Sequence, residues 1–467
     1  MKKLFFSVVY MLLYAGSFAQ NMPQKIEKAY QQFEADSQLR HAISSLYIIN
    51  AKTGEIVFDR NSQIGLAPAS TQKIITAVTA FVVLGKDFRY ETDLLLKNGE
   101  IVISGSGDPT LGSWRYRSTT DTLLLKKWSR AIAALKDSTI HFIKANDGLT
   151  IGNLSIPKGY IWEDIGNYYG AGTTWLNWHE NQYDISFESG RPNELTRVIA
   201  TSPKQDQLLL VNNVTAGENN TGDNAYVYCA PFSRQVFIDG TIPPNQRSFS
   251  ISASMPDPAY TLAMRLRDEL LFHGVYIAEA GIGTTRRDRF KNEPLVFDEH
   301  PGHIVPGSTH YSPALDSIIY WFLQKSVNLY GESLVRSIGL ARLHDFSIDS
   351  GVLYVKRIWK YYGIDENEVN ISDGSGLSPQ NRVTTHAQVE ILKYAKTKDW
   401  FPYFYNALPT YNGMKMKSGS IRDVKAYCGY QQSADGNEYI FSFIVNNYSG
   451  RSSAVVSKMF RVLDVLK

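Results

Sequence analysis

The stretch APASTQKIITAVTAFVVLG, residues 67–85, decides how this chain is read. Pro68 suits a helix start, the run from Ile74 to Leu84 is apolar nearly all round, and Gly85 stops it. A helix with no polar face to give to water is expected at the centre of a core. Ser70 and Lys73 stand at its beginning, and a spacing of three puts the hydroxyl and the ammonium on one face, one turn apart. A serine hydroxyl needs a base, and a lysine at its ordinary pKa of about 10.4 is not one. Burial and neighbouring positive charge lower that value toward neutrality, while the helix N-terminus favours a developing anion. The stretch therefore reads as a serine nucleophile carrying its own base.

Working outward, SLYIINAKTGEIVFDR (Ser45 to Arg60) is two apolar runs around a Lys-Thr-Gly turn and predicts a β-hairpin ahead of the helix. Between about Tyr90 and His300 the texture changes to short strand-like runs separated by Gly, Asn and Pro clusters, such as Gly105 to Gly112 and Asn212 to Asn224. These predict β-rich inserted domains, with the polar segment Thr284 to His303 as the linker back. Helical patterns follow at Pro313 to Ser326 and Gly331 to Leu343. Near the C-terminus, KSGSIRDVKAYCGYQ and EYIFSFIVNNY flank an Asp435-Gly436 turn and predict a hairpin, and the last fifteen residues have apolar positions at helical spacing. The expected architecture is α+β, with a split catalytic domain at 20–98 and 300–467 and inserted β-rich domains at 99–299.

Two further triplets give the Ser70-Lys73 pair company. Ser326-Val327-Asn328 falls at the end of an apolar helical segment, where a hydroxyl and an amide can project into a cleft. Lys417-Ser418-Gly419 opens the C-terminal hairpin, so its side chains and edge amides can line a strand beside that cleft. The order SxxK, SxN, K[ST]G is the set of serine acylases acting on D-alanyl peptides and β-lactams. Each outer motif has a decoy. Ser155-Ile156-Pro157-Lys158 repeats the first, but a proline inside a Gly- and Asn-flanked loop prevents the helical turn; Lys52-Thr53-Gly54 repeats the third, but occupies a hairpin turn ahead of the nucleophile.

With these residues in view, the chain resembles the low-molecular-mass, class C penicillin-binding proteins, which are D-alanyl-D-alanine carboxypeptidases and endopeptidases. The resemblance is carried by PASTQK (68–73), GDPTL (107–111), PKGYIWEDIGNYYGA (157–171), the SVN triplet, SDGSGLS (372–378) and KSGSI (417–421), and by the roughly 250 residues between Ser70 and Ser326. It implies a serine β-lactamase/transpeptidase-like domain, an antiparallel sheet covered by helices. It implies that Ser70 attacks the D-Ala-D-Ala carbonyl and Lys73 takes its proton, that Ser326 passes a proton to the leaving amine, and that Asn328 holds the substrate amide. Lys417 and Ser418 would receive the terminal carboxylate, with Gly419 between them and the amides of Ser70 and Ser420 forming an oxyanion hole. It further implies that Asp164 holds the side-chain ammonium of a diamino acid in the stem peptide, with Tyr169 as the wall of that pocket. Many relatives carry an arginine directly after SGLS; here it is Pro379, with Arg382 three positions later and Arg422 on the KSG strand as possible substitutes.

A serine β-lactamase and a catalytically silent cell-wall binding protein are the competing readings; the long insertion speaks against the first and three intact motifs against the second. No histidine pair has HExxH spacing and no Gly-x-Ser-x-Gly elbow exists, so neither a zinc site nor any other cofactor is expected. With 48 Lys+Arg against 45 Asp+Glu in 467 residues, the chain offers no electrostatic footprint for nucleic acid. Residues 1–19 read as a signal peptide cleaved after Ala19, with an apolar run of about 12 residues where a membrane span needs about 20. An exported protein of the periplasm or cell-wall space, without a transmembrane anchor, is expected. Its partners would be peptidoglycan stem peptides and, as covalent inhibitors, β-lactams. Cys229 and Cys428 read as core thiols, with a single bridge as the alternative.

Overall fold

The structure is a computed structural model that describes residues 21–135, 139–148, 155–278, 281–284 and 302–467. The signal-peptide segment and most of the linker expected at 284–303 lie outside these residues.

The catalytic domain is built on a six-stranded antiparallel sheet in the order Thr410–Tyr411, Met414–Ile421, Val424–Gln432, Glu438–Asn446, Ile43–Asn50, Ile56–Arg60. The first and last parts of the chain meet in it, Ile43 pairing with Asn446 and Asn50 with Tyr439. Strand alternation explains why the run LYII (46–49) is apolar without a break: both faces of the sheet are covered. Leu46 and Ile48 pack with Phe441 and Phe443 under the terminal helices Met22–Glu34 and Ser452–Leu463, whereas Tyr47 and Ile49 face the core that holds Ile74, Val78 and Phe81. The helix Lys73–Leu84 is buried at every position from Lys73 to Phe81 and ends at Gly85 with φ 83°. The helices Leu315–Gln324, Asn328–Leu343 and Thr385–Lys396 enclose it.

The C-terminal segment differs in detail from the sequence expectation. The stretch 417–431, expected as one arm of a hairpin, makes two strands, because Ile421 pairs with Val424 across a two-residue turn of Arg422 and Asp423, with Asp423 at φ 55°. Arg422 therefore stands on a turn, not on the strand.

The insertion begins earlier than residue 99. Glu91–Lys97 and Glu100–Ser104 form a hairpin closed by Asn98 (φ 49°) and Gly99 (φ 78°), the Asn-Gly pair favoured where both turn residues are left-handed. A boundary at 98/99 would cut that hairpin, and the returning residues His303–Ile304 and His310–Tyr311 also pair with Glu91–Lys97. This sheet is mixed, since Phe142–Asn146 runs parallel to Glu100–Ser104. Two amphipathic helices, Asp121–Ala133 and Pro258–Leu271, bury Leu124, Trp128, Leu262 and Leu266 in its core, so the insertion is α/β in part. Two three-stranded sheets complete it. Cys229 and Cys428 are free buried thiols in separate cores, as expected for packing residues.

Leu46 is fully buried between the sheet and the terminal helices, so Leu46→Ala should lower the free energy of unfolding by about 2–5 kcal/mol, read from urea titration. Glu55→Ala, on the exposed turn of the same hairpin, should shift it by less than about 0.5 kcal/mol.

Candidate active site

Ser70 lies in the 3₁₀ turn Ala69–Gln72 that leads into the buried helix. The preceding Ala69 is left-handed (φ 45°), a conformation that costs an alanine about 1–2 kcal/mol and is held by its surroundings. The turn is pressed between two backbones. A Cβ on Gly419 would lie 2.5 Å from the Pro68 carbonyl oxygen and 3.1 Å from the Ser70 nitrogen, and one on Gly376 would lie 2.0 Å from the Ala69 carbonyl oxygen. Only glycine lets the strand Met414–Ile421 and the loop 372–378 close on the Ser70 turn from both sides.

The Lys73 ammonium is fully buried and donates to Ser70 Oγ (3.0 Å), Asn328 Oδ1 (2.7 Å) and the Ser375 carbonyl (2.7 Å). All three acceptors are neutral. Burial, and next the positive charge of Lys417, push its pKa well below the usual lysine range, although Glu332 and Asp373 pull the other way. Lys73 thus combines contact with the nucleophile and a weakened hold on its proton.

Asn328 opens the helix Asn328–Leu343. Besides accepting from Lys73, its amide nitrogen donates to the Tyr169 carbonyl at 2.7 Å. The carboxamide expected to hold substrate therefore already has one donor and one acceptor engaged within the protein. Ser326 sits just ahead of it at φ 56°, in the three-residue break between helices, and lines the same cavity as Ser70.

That cavity, about 480 Å³, is also lined by Asp164, Tyr169, Ser420 and Arg422. Asp164 is half-buried and accepts a hydrogen bond from the Tyr169 hydroxyl; burial, outweighing that bond, raises its pKa. Arg422 reaches the rim with its side chain almost wholly exposed. Arg382 bonds the Pro379 and Asn381 carbonyls and does not line the cavity.

Lys417 and Ser418 are placed differently from the sequence expectation. Lys417 is 1% exposed, donates to the Ser418 carbonyl at 2.8 Å and is pushed down to about 8 by burial; neither residue forms the cavity wall. The strand lines the cavity further along, at Ser420, whose hydroxyl receives a bond from Lys425 Nζ at 2.6 Å across the Ser420–Lys425 pair. Both decoys are where their loops predicted. Lys158 is exposed and pairs with Asp349 at 2.6 Å, and the backbone amides of Lys52 and Thr53 cap Asn50 in the first hairpin turn.

Several residues escaped the sequence reading. Glu332, one turn after Asn328, is fully buried and accepts from the Tyr160 hydroxyl (2.9 Å) and the Gly374 amide (2.8 Å), while Tyr160 also meets Ser375 Oγ at 3.1 Å. Asp373 accepts from Gln72 Nε2, the Gly376 and Ser378 amides and Asn381 Nδ2 at 2.7–3.0 Å. These two carboxyls shape the loop whose Ser375 carbonyl holds Lys73. Their spacing from the motifs has no signature of its own, although SDGSGLS contains half of them.

The profile of the D-Ala-D-Ala carboxypeptidase 3 (S13) family matches residues 24–465. The chain belongs to that family. It is a serine-type D-alanyl-D-alanine carboxypeptidase. Among curated relatives of this S13 enzyme, the D-alanyl-D-alanine carboxypeptidase of Actinomadura sp. (strain R39) is 23% identical, over 91% of this chain and 82% of its own length. The corresponding DacB protein of Haemophilus influenzae is 22% identical, over 86% and 84%. In fold, the S13 enzyme is similar to the crystal structure of penicillin binding protein 4 from Haemophilus influenzae, with a TM-score of 0.74 at 20% identity over 94% of this chain and 98% of that one. The same protein has been solved in complex with a β-lactam, at a TM-score of 0.70. Among the described residues, no helix is long and apolar enough to cross a membrane and no cluster of side chains could hold a metal ion.

Because Lys73 must be neutral to accept a proton, acylation should rise with pH to a plateau whose midpoint lies well below 10.5. Removing the positive neighbour in Lys417→Met should move that midpoint upward; an unchanged midpoint in the stopped-flow pH profile would show that Lys417 does not act on Lys73.

Proposed function

We propose that this enzyme trims or cleaves peptidoglycan stem peptides through an acyl-serine at Ser70. The observation that carries the reading is the contact of Lys73 Nζ with Ser70 Oγ at 3.0 Å in a buried setting whose other hydrogen-bond partners are neutral. Lys73 takes the hydroxyl proton as Oγ bonds to the carbonyl carbon of the D-alanyl-D-alanine bond. The tetrahedral oxyanion is met by the amides of Ser70 and Ser420, where one donor is worth about 100- to 1000-fold in rate. As the C–N bond breaks, Ser326 delivers a proton to the leaving amine and is resupplied with the one that Lys73 took, and a water then hydrolyses the ester and restores Ser70.

The terminal carboxylate is received at the strand 417–420, where Ser420 forms the wall, its hydroxyl bonded by Lys425, and the charge of Lys417 stands behind it. Asp164, with Tyr169 beside it, holds a free side-chain amine of the third stem residue, and Arg422 is a cation on the rim, Arg382 being turned to the Pro379 and Asn381 carbonyls. A β-lactam enters the same path and stays as the acyl group. The substrate lies outside the cytoplasm, in agreement with the signal-peptide reading of residues 1–19 and export to the periplasm or cell-wall space.

Penicillin treatment followed by mass spectrometry should place one adduct, on Ser70. Lys73→Ala should abolish it and Lys158→Ala should not; label on Ser155 would overturn the assignment. Asp164→Asn should raise KM for peptides with a free side-chain amine several-fold while penicillin acylation persists. A joint fall would make Asp164 structural, and no change would put the pocket elsewhere.

A further inference from the structure

On the Ser326 side of the cavity stands an ion pair for which neither the motifs nor the steps above have a use. Arg115 and Glu180, both from the insertion, line the same space as Ser70. Glu180 is 2% exposed. Its Oε1 accepts from Ser113 Oγ (2.7 Å), Tyr330 OH (2.8 Å) and Arg115 Nε (2.8 Å), and its Oε2 lies 3.1 Å from the same Nε. A buried carboxylate is costly and is tolerated when bonded this fully.

The backbone around it is strained. His179, Glu180 and Asn181 are three consecutive left-handed residues, at φ 53°, 52° and 51°, in a region where non-glycine residues are rarely found even singly. The strain is fastened by Asn181, which bonds the Trp178 amide, the Gly172 carbonyl and Asn177. Such a device is expensive for a plain ion pair, and its effect is to fix one atom group, the Arg115 guanidinium. That group also lies over two rings, its central carbon 5.4 Å from the Trp114 ring centre and 5.7 Å from that of Trp321.

Glu180 engages only the inner nitrogen, Nε. The outer pair, Nη1 and Nη2, has no hydrogen-bond partner among the described residues, and a guanidinium so held presents a planar fork suited to a carboxylate. Lys325, exposed and next to Ser326 in sequence, lines the cavity too.

We propose that Arg115, oriented by Glu180, forms with Lys325 a carboxylate-binding subsite for the leaving side of a cross-linked substrate, in which the amine released from the acyl group belongs to a second, acidic stem peptide. The inference rests on the acyl-serine reading, since it is Ser326 that marks where the leaving amine sits. A released single alanine has one carboxylate, which the strand 417–420 receives. A second stem brings further carboxylates past Ser326, and two cations wait on that wall.

The test uses the full mature chain with three probes: a single stem pentapeptide, a cross-linked stem dimer, and the same dimer with the free carboxyls of its leaving strand amidated. For Arg115→Gln and for Lys325→Ala, the ratio of kcat/KM on dimer to kcat/KM on pentapeptide should fall about 10- to 100-fold, mainly through KM. Against the amidated dimer the ratio should match that of the unaltered enzyme. Lys325→Ala leaves the buried pair untouched, so it reports even where Arg115→Gln does not fold. An equal loss on all three probes would make the pair structural, and no loss on the dimer, or a parent enzyme that never cleaves it, would overturn the subsite. Failure of the acyl-serine reading would appear separately, as absence of a penicillin adduct on Ser70 in the unaltered enzyme.

Discussion

The site depends on keeping a lysine out of water without giving it a carboxylate. Lys73 has three hydrogen-bond acceptors, an alcohol, a carboxamide and a peptide carbonyl, so its ammonium is satisfied in geometry while its charge is left poorly compensated. A carboxylate in contact would have made a stable ion pair and a useless base. The nearest acids, Glu332 and Asp373, are bonded by Tyr160, Gln72 and backbone amides, which uses up their oxygens and keeps them one layer away.

That arrangement ties the inserted segment to the catalytic domain. Tyr160 reaches Glu332 and Ser375, the Tyr169 carbonyl takes the amide of Asn328, and Glu180 takes the hydroxyl of Tyr330. The same helix, Asn328–Leu343, supplies the catalytic-domain partner in each case, apart from Ser375. The insertion thus forms one wall of the cavity and fixes groups that hold the lysine. Loss of any of these contacts would be felt at Ser70 without a change in the three motifs.

The strain at the site has a common form. Ala69 and Ser326 flank the reacting groups in left-handed conformations, and the triplet 179–181 does the same behind Arg115. Ala69 is held between the Gly419 strand and the Gly376 loop, and the triplet by the hydrogen bonds of Asn181. Rigid placement of this sort is what allows a hydroxyl and a lysine to be poised before substrate arrives.

Much of this was legible in residues 67–85 alone, because a helix apolar on every side can only be central and a Ser-x-x-Lys at its start can only share a face. The Asn-Gly turn at 98–99 was equally legible and marks where the insertion's first hairpin closes, whereas composition put a domain boundary through it. The sequence by itself determined the candidates, Ser70 and Lys73 as a hydroxyl and an amine on one face, and the hairpins and helices that carry them, since these follow from periodicity and local spacing. Only the tertiary structure decided that Lys417 is buried and Ser420 exposed, that Asn328 is engaged by Tyr169, and that Glu332 meets Tyr160 beside the site. Those choices depend on which surfaces pack together and exclude water, and residues 150 or more positions apart in the chain carry no local signal of meeting.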